Sequence, residues 1–245
     1  MIEQLRQRIS ALQKAPGIID GPGILPLGIP AIDAALGGGF LCGALHEISA
    51  TSEAHFPAAA GFALGVAKRA APSPRLFWII EDMALAESGM PHGAGLNIFG
   101  LAPERLVTVF VSHRRDLLWA MEEALRCRAA NSVIGEIRAG SIDGVAVRRL
   151  SLAAAESGAL ALLLRATPSN DTSTAATRWI VGAAPSSTTR DLGATRFISQ
   201  LIRNRRGPIG SWILEWSDRD EQFTLATHAQ PVATPAFDRP RREVA

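Results

Sequence analysis

The sequence is short of net charge, of cysteine and of long apolar runs, and each shortage removes a class of function. Its 245 residues carry a formal net charge of only +2 at pH 7, although the sequence pI is about 8.9. Charge alone therefore does not point to a nucleic-acid binder. The two cysteines, Cys42 and Cys127, lie far apart and show no metal-ligand spacing, so a reduced, cytoplasmic setting is expected. No apolar run approaches the length of a membrane span, and the N-terminus is charged and Gln-rich; neither an anchor nor a signal peptide is expected. His46, His55, His92, His113 and His228 are scattered, with no pair at ligand spacing. No Gly-x-Ser-x-Gly elbow occurs, and neither cysteine has an evident activating neighbour. No catalytic residue, metal site or cofactor is expected.

What is present suits an α/β domain: 47% hydrophobic and 20% charged residues, in a chain long enough for one substantial core. Residues 1–14, MIEQLRQRISALQK, place Ile2, Leu5, Ile9 and Leu12 on one stripe of an amphipathic helix. Such a helix packs on its own domain or serves as an interaction helix. Pro16-Gly17 and Gly21-Pro22-Gly23 mark a linker over 15–24, ahead of a core spanning 25–227. Within the core, a helix over Ala58–Ala70 precedes a strand at Arg75–Glu81 and a buried-type strand at Leu106–Val111. A helix over Arg114–Arg128, a short apolar run at Val133–Ile137, a helix over Ile142–Ser157 and a strand at Leu160–Leu164 follow. Helices alternating with apolar strands predict a largely parallel sheet with helices on both faces. Later strands at Arg178–Val181, Arg196–Ile202 and Gly210–Trp216 form a C-terminal β-hairpin extension. Residues 228–245 hold three prolines and mixed charge with little periodicity, the composition of a disordered tail; Phe237 is its candidate anchor for a partner.

The most informative stretch is 25–57, LPLGIPAIDAALGGGFLCGALHEISATSEAHFP. A helical turn (Pro30–Leu36), a triple glycine and a strand from Ala44 follow one another. Gly28, Asp33, Leu36, Gly37, Gly38, Gly39, Gly43 and Glu47 stand at the spacing of the RecA/RadA family of ATP-dependent recombinases, which the segment resembles. In that family the strand runs into a phosphate loop, Gly-x-x-x-x-Gly-Lys-Ser/Thr, whose backbone N–H groups, Lys and hydroxyl hold phosphates and Mg²⁺. Here that frame falls on 50–57. Ala50 and His55 replace the glycines, Phe56 the Lys and Pro57 the hydroxyl residue. Ala50 and His55 disfavour positive φ, Glu53 adds negative charge, and Pro57 lacks a backbone N–H. Conventional ATP binding is therefore not expected. By the same resemblance Asp82, with Glu81 beside it, matches the catalytic carboxylate, and Glu136 the Mg²⁺-linked one. Without a phosphate to attack, Glu81 and Asp82 read as acidic residues solvating a strand end.

The two segments where RecA-type proteins hold single-stranded DNA correspond to 138–144 and 166–177. The second contains no Lys, Arg or aromatic residue, whereas single-strand binding calls for a basic groove and stacking rings. Basic character lies later, at Arg203, Arg205 and Arg206, with Trp212 on the following strand. That hairpin reads as a solvated tip with core tryptophans, as a protein-binding surface, or as a phosphate-contacting element. A RecA-like core without a phosphate loop, followed by TRWIVGAAPS and LIRNRRGPIGSWILEW, resembles the ImuA family over roughly residues 25–217. That resemblance implies a non-catalytic accessory role in SOS-induced translesion synthesis. The implied partners are ImuB, a catalytically inactive Y-family polymerase relative, RecA and an error-prone C-family DNA polymerase; self-association is also compatible. A divergent DNA-dependent ATPase and a direct single-stranded DNA-binding module are the competing readings, and a SulA-like division inhibitor is a minor one.

Overall fold

A computed structural model describes residues 23–71, 75–127, 129–186 and 193–226. The N-terminal stripe (Ile2, Leu5, Ile9, Leu12), nearly all of the linker, and the tail with Phe237 lie outside the described residues. The first strand, β1 (Ile24–Leu25), pairs antiparallel with β2 (Phe40–Leu41); Ile24, expected in the linker, belongs to this strand. Between them lies helix α1 (Pro30–Ala35), opened by proline. Asp33 in its first turn accepts the backbone N–H groups of Leu27 (2.7 Å) and Gly28 (2.9 Å). The triple glycine then reverses the chain through φ values of +68°, +113° and +143°, a region that side-chain-bearing residues resist. A Cβ on Gly39 would run into the Leu25 carbonyl, so glycine there is what lets β1 meet β2.

Strand β3 (Ala44–Ala50) is buried along all seven residues. It leads through a 3₁₀ turn (Glu53–His55) into helix α2 (Phe56–Lys68). Strand β4 (Leu76–Glu81), short helices α3 (Asp82–Ser88) and α4 (Gly93–Ile98), and strand β5 (Leu106–Val111) come next. Then follow α5 (Arg114–Arg126), β6 (Ser132–Ile137), α6 (Gly144–Ser157) and β7 (Leu160–Arg165). The chain closes with β8 (Thr177–Ala183), β9 (Arg196–Asn204), β10 (Gly210–Ser217) and β11 (Gln222–Leu225). Nine strands form one sheet in the order β11-β10-β9-β8-β3-β7-β6-β4-β5. Pairing is parallel from β8 to β5 and antiparallel from β8 to β11. The expected α/β architecture is present, with a C-terminal antiparallel extension that is one strand longer than a hairpin.

The two faces of the sheet are packed differently. On one, Phe62 of α2 meets Trp179, Phe197 and Phe223, and Phe223 also meets Phe197 and Trp216, with ring centroids 4.9–6.4 Å apart. Gly61 and Gly65 bring the rings against the helix backbone: a Cβ at Gly61 would lie 2.8 Å from Phe99, and one at Gly65 within 3.0 Å of Trp216. On the other face, α5 and α6 pack an aliphatic cluster that includes Leu117, Met121, Leu125, Val147 and Leu150.

Two strands differ from expectation. The sequence predicts β5 as buried, yet it is the sheet's edge, with Val107 43% and Phe110 38% exposed. A Val/Phe-rich strand is written the same way whether it has one neighbour or two. Strand β6, expected only as a weak apolar run, is a central strand buried throughout. Its Gly135 admits Met121 of α5, whose sulfur would stand 2.7 Å from a Cβ there.

Candidate functional site

In doubly wound sheets ligands bind beyond the C-terminal ends of the parallel strands. Here that edge is formed by Ala50 of β3, Glu81 of β4 and Ile137 of β6, with the loops that follow them. The turn after β3 is stitched to β8. Thr51 N–H donates to the Val181 carbonyl (3.0 Å), and His55 Nδ1 accepts the Ala183 N–H (3.0 Å). Ser52 is extended (φ −161°) and His55 near φ −96°. Glu221 is the one non-glycine residue with positive φ among the described residues. The segment 50–57 therefore lacks the alternating left-handed residues that turn backbone N–H groups toward an anion.

Phe56, which the RecA/RadA resemblance sets against a phosphate-loop lysine, turns inward and is 6% exposed. The Arg138 guanidinium lies over its ring, 3.7 Å from the centroid, a favourable cation–π contact. Arg138 in turn reaches Glu136 Oε1 through Nε (3.0 Å) and Nη2 (2.8 Å). Trp78 Nε1 donates to the other oxygen at 3.0 Å. The result is a continuous stack, Phe56–Arg138–Glu136–Trp78, occupying the strand ends. Burial pushes the Glu136 carboxyl above its ordinary pKa, and Arg138 and Trp78 oppose that rise.

The other two carboxylates are also engaged. Glu81 faces Arg114, with Nε 3.9 Å away, and burial raises its pKa against that attraction. Asp82 accepts the Ser112 hydroxyl at 2.8 Å. Arg114 donates onward to the Ser141 carbonyl at 2.7 Å. Glu81, Asp82 and Glu136 thus lie near one sheet edge, each facing a polar or basic neighbour. Among the described residues, no cluster of His, Cys, Asp and Glu has the geometry of a metal site.

The loop 166–177 contains no cation of its own, but three arginines hold it from below. Arg165 reaches Asp171 (3.3 Å) and the Gly140 carbonyl (2.9 Å), joining this loop to 138–144. Arg178 pairs with buried Glu47 (2.8 Å) and donates to the Ser169 carbonyl. Arg203 donates to the Ser173 carbonyl (2.6 Å), and the Ser173 hydroxyl bonds Glu47 at 2.5 Å. Arg206 folds back onto the glycine turn, donating to the Gly37 carbonyl at 3.1 Å. Asn204 clamps the same hairpin tip to α1 through the Ala35 carbonyl (2.8 Å). Of the sequence-selected hairpin residues, Arg203 and Arg206 are thus engaged within the fold and Arg205 is exposed. Trp212 is half-buried and packs on Trp179, with ring centroids 6.0 Å apart.

The Glu136–Arg138–Phe56 stack and the Glu47–Arg178–Ser173 network were not assembled from sequence. Both need residues from different elements: Arg138 lies two residues from Glu136, but Phe56 is far away in the chain, and Arg178 is far from Glu47. A signal existed for Glu47 and Glu136, acids inside apolar runs, which demand buried partners.

No family model matches the chain, and no curated protein matches it by sequence. Among solved structures it is similar to the RadB recombinase, with a TM-score of 0.57 and 15% identity. The alignment covers 80% of this chain and 97% of that one. The chain has the RecA-like fold. No helix among the described residues is long and apolar enough to cross a membrane.

Proposed function

We propose that this chain is a RecA-like accessory protein that acts through protein contacts and has no ATPase activity of its own. The observation that carries this reading is the seating of Phe56 under Arg138, where a recombinase of this fold presents a lysine to phosphate. An aromatic ring there neither neutralises a phosphate nor yields its place without opening the core. The turn before it passes from extended Ser52 through a 3₁₀ turn and is tied to β8. The RecA-like fold supports a relative of the recombination ATPases. The ImuA resemblance narrows this to SOS-induced translesion synthesis, with ImuB, RecA and a C-family error-prone polymerase as partners.

Two surfaces suit such contacts. Strand β5 is a sheet edge without a charged residue, and its half-exposed Val107 and Phe110 can receive a partner's strand. This is the surface for a RecA-like partner. The antiparallel extension and the residues after it are the surface for ImuB. Direct single-stranded DNA binding has less support, because Arg203 and Arg206 are committed to backbone carbonyls.

Calorimetric titration with ATP and Mg²⁺, paired with phosphate release with and without single-stranded DNA, tests the first half. The expected result is neither heat nor turnover. Micromolar binding, or turnover that survives repurification, would return the enzyme reading. Pull-down with ImuB and with RecA tests the second half, with Val107→Lys/Phe110→Lys expected to weaken RecA capture and leave ImuB capture unchanged. Failure to capture either partner would sink the assignment.

A further inference from the structure

One side of the sheet is covered only in part. Helices α5 and α6 pack on strands β3 through β7, on the side that carries Leu45 and Leu163. Beyond β3 the loop 166–177 closes that layer over Glu47 and Arg178. No helix among the described residues packs on the same side of β8, β9 and β10. Trp179, Phe197, Leu201, Leu214 and Trp216 belong to the cluster on the α2 side. Strand alternation therefore turns Ile180, Ile198, Gln200, Ile202 and Ile213 the other way. These four isoleucines join neither buried cluster.

Register makes the pattern regular. Ile198 stands opposite Ile213, and Gln200 lies between Ser211 on one flank and Ile180 on the other. One step beyond the Gly210–Leu201 pair come Ile209 and Ile202, 64% and 43% exposed. The rows run isoleucine, polar, isoleucine. The solvated side of an antiparallel sheet ordinarily alternates to polar residues, so a side built on β-branched aliphatics gains by being covered. At one end Arg196 and Glu215 neutralise each other at 2.7 Å. At the other, the hairpin tip leaves Arg205 exposed.

Shape and area select the occupant. Strands β8 to β11 make a shelf about 14 Å wide, beside the layer formed by α5, α6 and the loop. A helix with its side chains is about 10–12 Å across, so one helix completes that layer. The patch itself is on the order of 300 Å², well short of the roughly 800 Å² that each partner of a stable dimer buries. A second copy is thus disfavoured. Arg205 favours carboxylates, or the negative end of a helix dipole, at the tip end of the shelf.

We infer that the outer side of β8, β9 and β10 receives one amphipathic helix of a partner protein. Its aliphatic stripe lies on Ile180, Ile198, Ile202 and Ile213, and its acidic C-terminal turn lies beside Arg205. This rests on the reading that the antiparallel extension holds a partner, and it specifies which side and what chemistry.

Two probes test the two readings separately. Labelled helical peptides of about four turns, with one leucine stripe and either Glu or Lys in the last turn, are titrated into the full chain by fluorescence anisotropy. The Glu peptide should bind, and Ile198→Lys/Ile213→Lys should weaken it about tenfold or more. Ile202→Lys, at an exposed position, should weaken it in the same direction and serves if the double variant unfolds. Arg205→Glu should reverse the preference between the two peptides. ImuB capture should be lost in the isoleucine variants and kept in Val107→Lys/Phe110→Lys. Absence of peptide binding to the wild-type chain, or binding unchanged by the isoleucine substitutions, would overturn the inference. ImuB capture that survives those substitutions would overturn it and leave the ImuB reading intact. Peptide binding that they abolish, with no capture of ImuB by the wild type, would overturn the ImuB reading and leave the helix site standing. A dimer in sedimentation that the isoleucine variants dissociate would overturn the inference, since the occupant would then be a second copy.

Discussion

The turn entering β3 and the turn leaving it are built on opposite rules. Entering, Gly37, Gly38 and Gly39 all take left-handed dihedrals, and Asp33 ties the preceding backbone. Leaving, residues 50–57 contain no glycine, and no residue there has positive φ. The first turn answers to the fold, since without it β1 could not meet β2. The second is closed by side chains. His55 takes a β8 amide and Phe56 takes the core. Glycine stands where backbone meets backbone, whereas the space beside β3's exit is closed by a ring and a guanidinium.

Substitutions on the two sides separate these rules. The largest effect is expected at Gly39→Ala, which adds a Cβ to a residue at φ +143° against the Leu25 carbonyl. A loss of about 5 kcal/mol is expected, comparable to the whole stability of many domains. Urea unfolding would read this as a chain largely unfolded without denaturant, and a wild-type midpoint would break the contrast. Phe56→Ala should cost about 4 kcal/mol by emptying a buried aromatic site and uncovering Arg138. A near-neutral result would mean the turn after β3 is not packed as described.

Acid should come next. His46 is buried between Thr177 Oγ1 (2.7 Å) and the Leu41 carbonyl (2.9 Å), and burial lowers its pKa from 6.5 to about 4. A histidine that is neutral in the folded state and easier to protonate in the unfolded one contributes stability above pH 6.5. That stability is lost as the pH falls toward about 4. The shift corresponds to about 3 kcal/mol across the window. Unfolding midpoints measured from pH 7 to 4 should slope accordingly, and His46→Gln should flatten that part of the slope. The smallest effect is expected at Ser52→Ala and Glu53→Ala, exposed positions whose change should stay within about 0.5 kcal/mol. A large loss at either would show that the exit turn holds a hidden structural role.

Much of the architecture was legible from local pattern. The run ALHEISA reads as a strand because small and branched residues bracket one tolerable acid. The helix α2 reads from small residues between His55 and the prolines that follow it. Strand β6 was harder, because Gly135 and Glu136 interrupt its apolar run, and only its neighbours β4 and β7 explain why both are buried. Strand β11, QFTL, is too short and too polar to be read as a strand until Phe223 is seen between Trp216 and Phe197. The basic hairpin was legible as a cluster of charge, but its direction was not. Arg203 and Arg206 turn back toward carbonyls in segments far away in the chain.

By itself the sequence determined the alternation of helix and strand, the glycine turn ahead of β3, and the missing phosphate-loop residues. All three depend on local dihedral preference and on side chains within a few residues of one another. Only the tertiary structure decided that β5 is an edge, that Arg138 covers Phe56, and that three arginines are spent beneath the 166–177 loop. Those outcomes depend on which charges and rings meet across the sheet, and a buried charge finds its partner through space rather than along the chain.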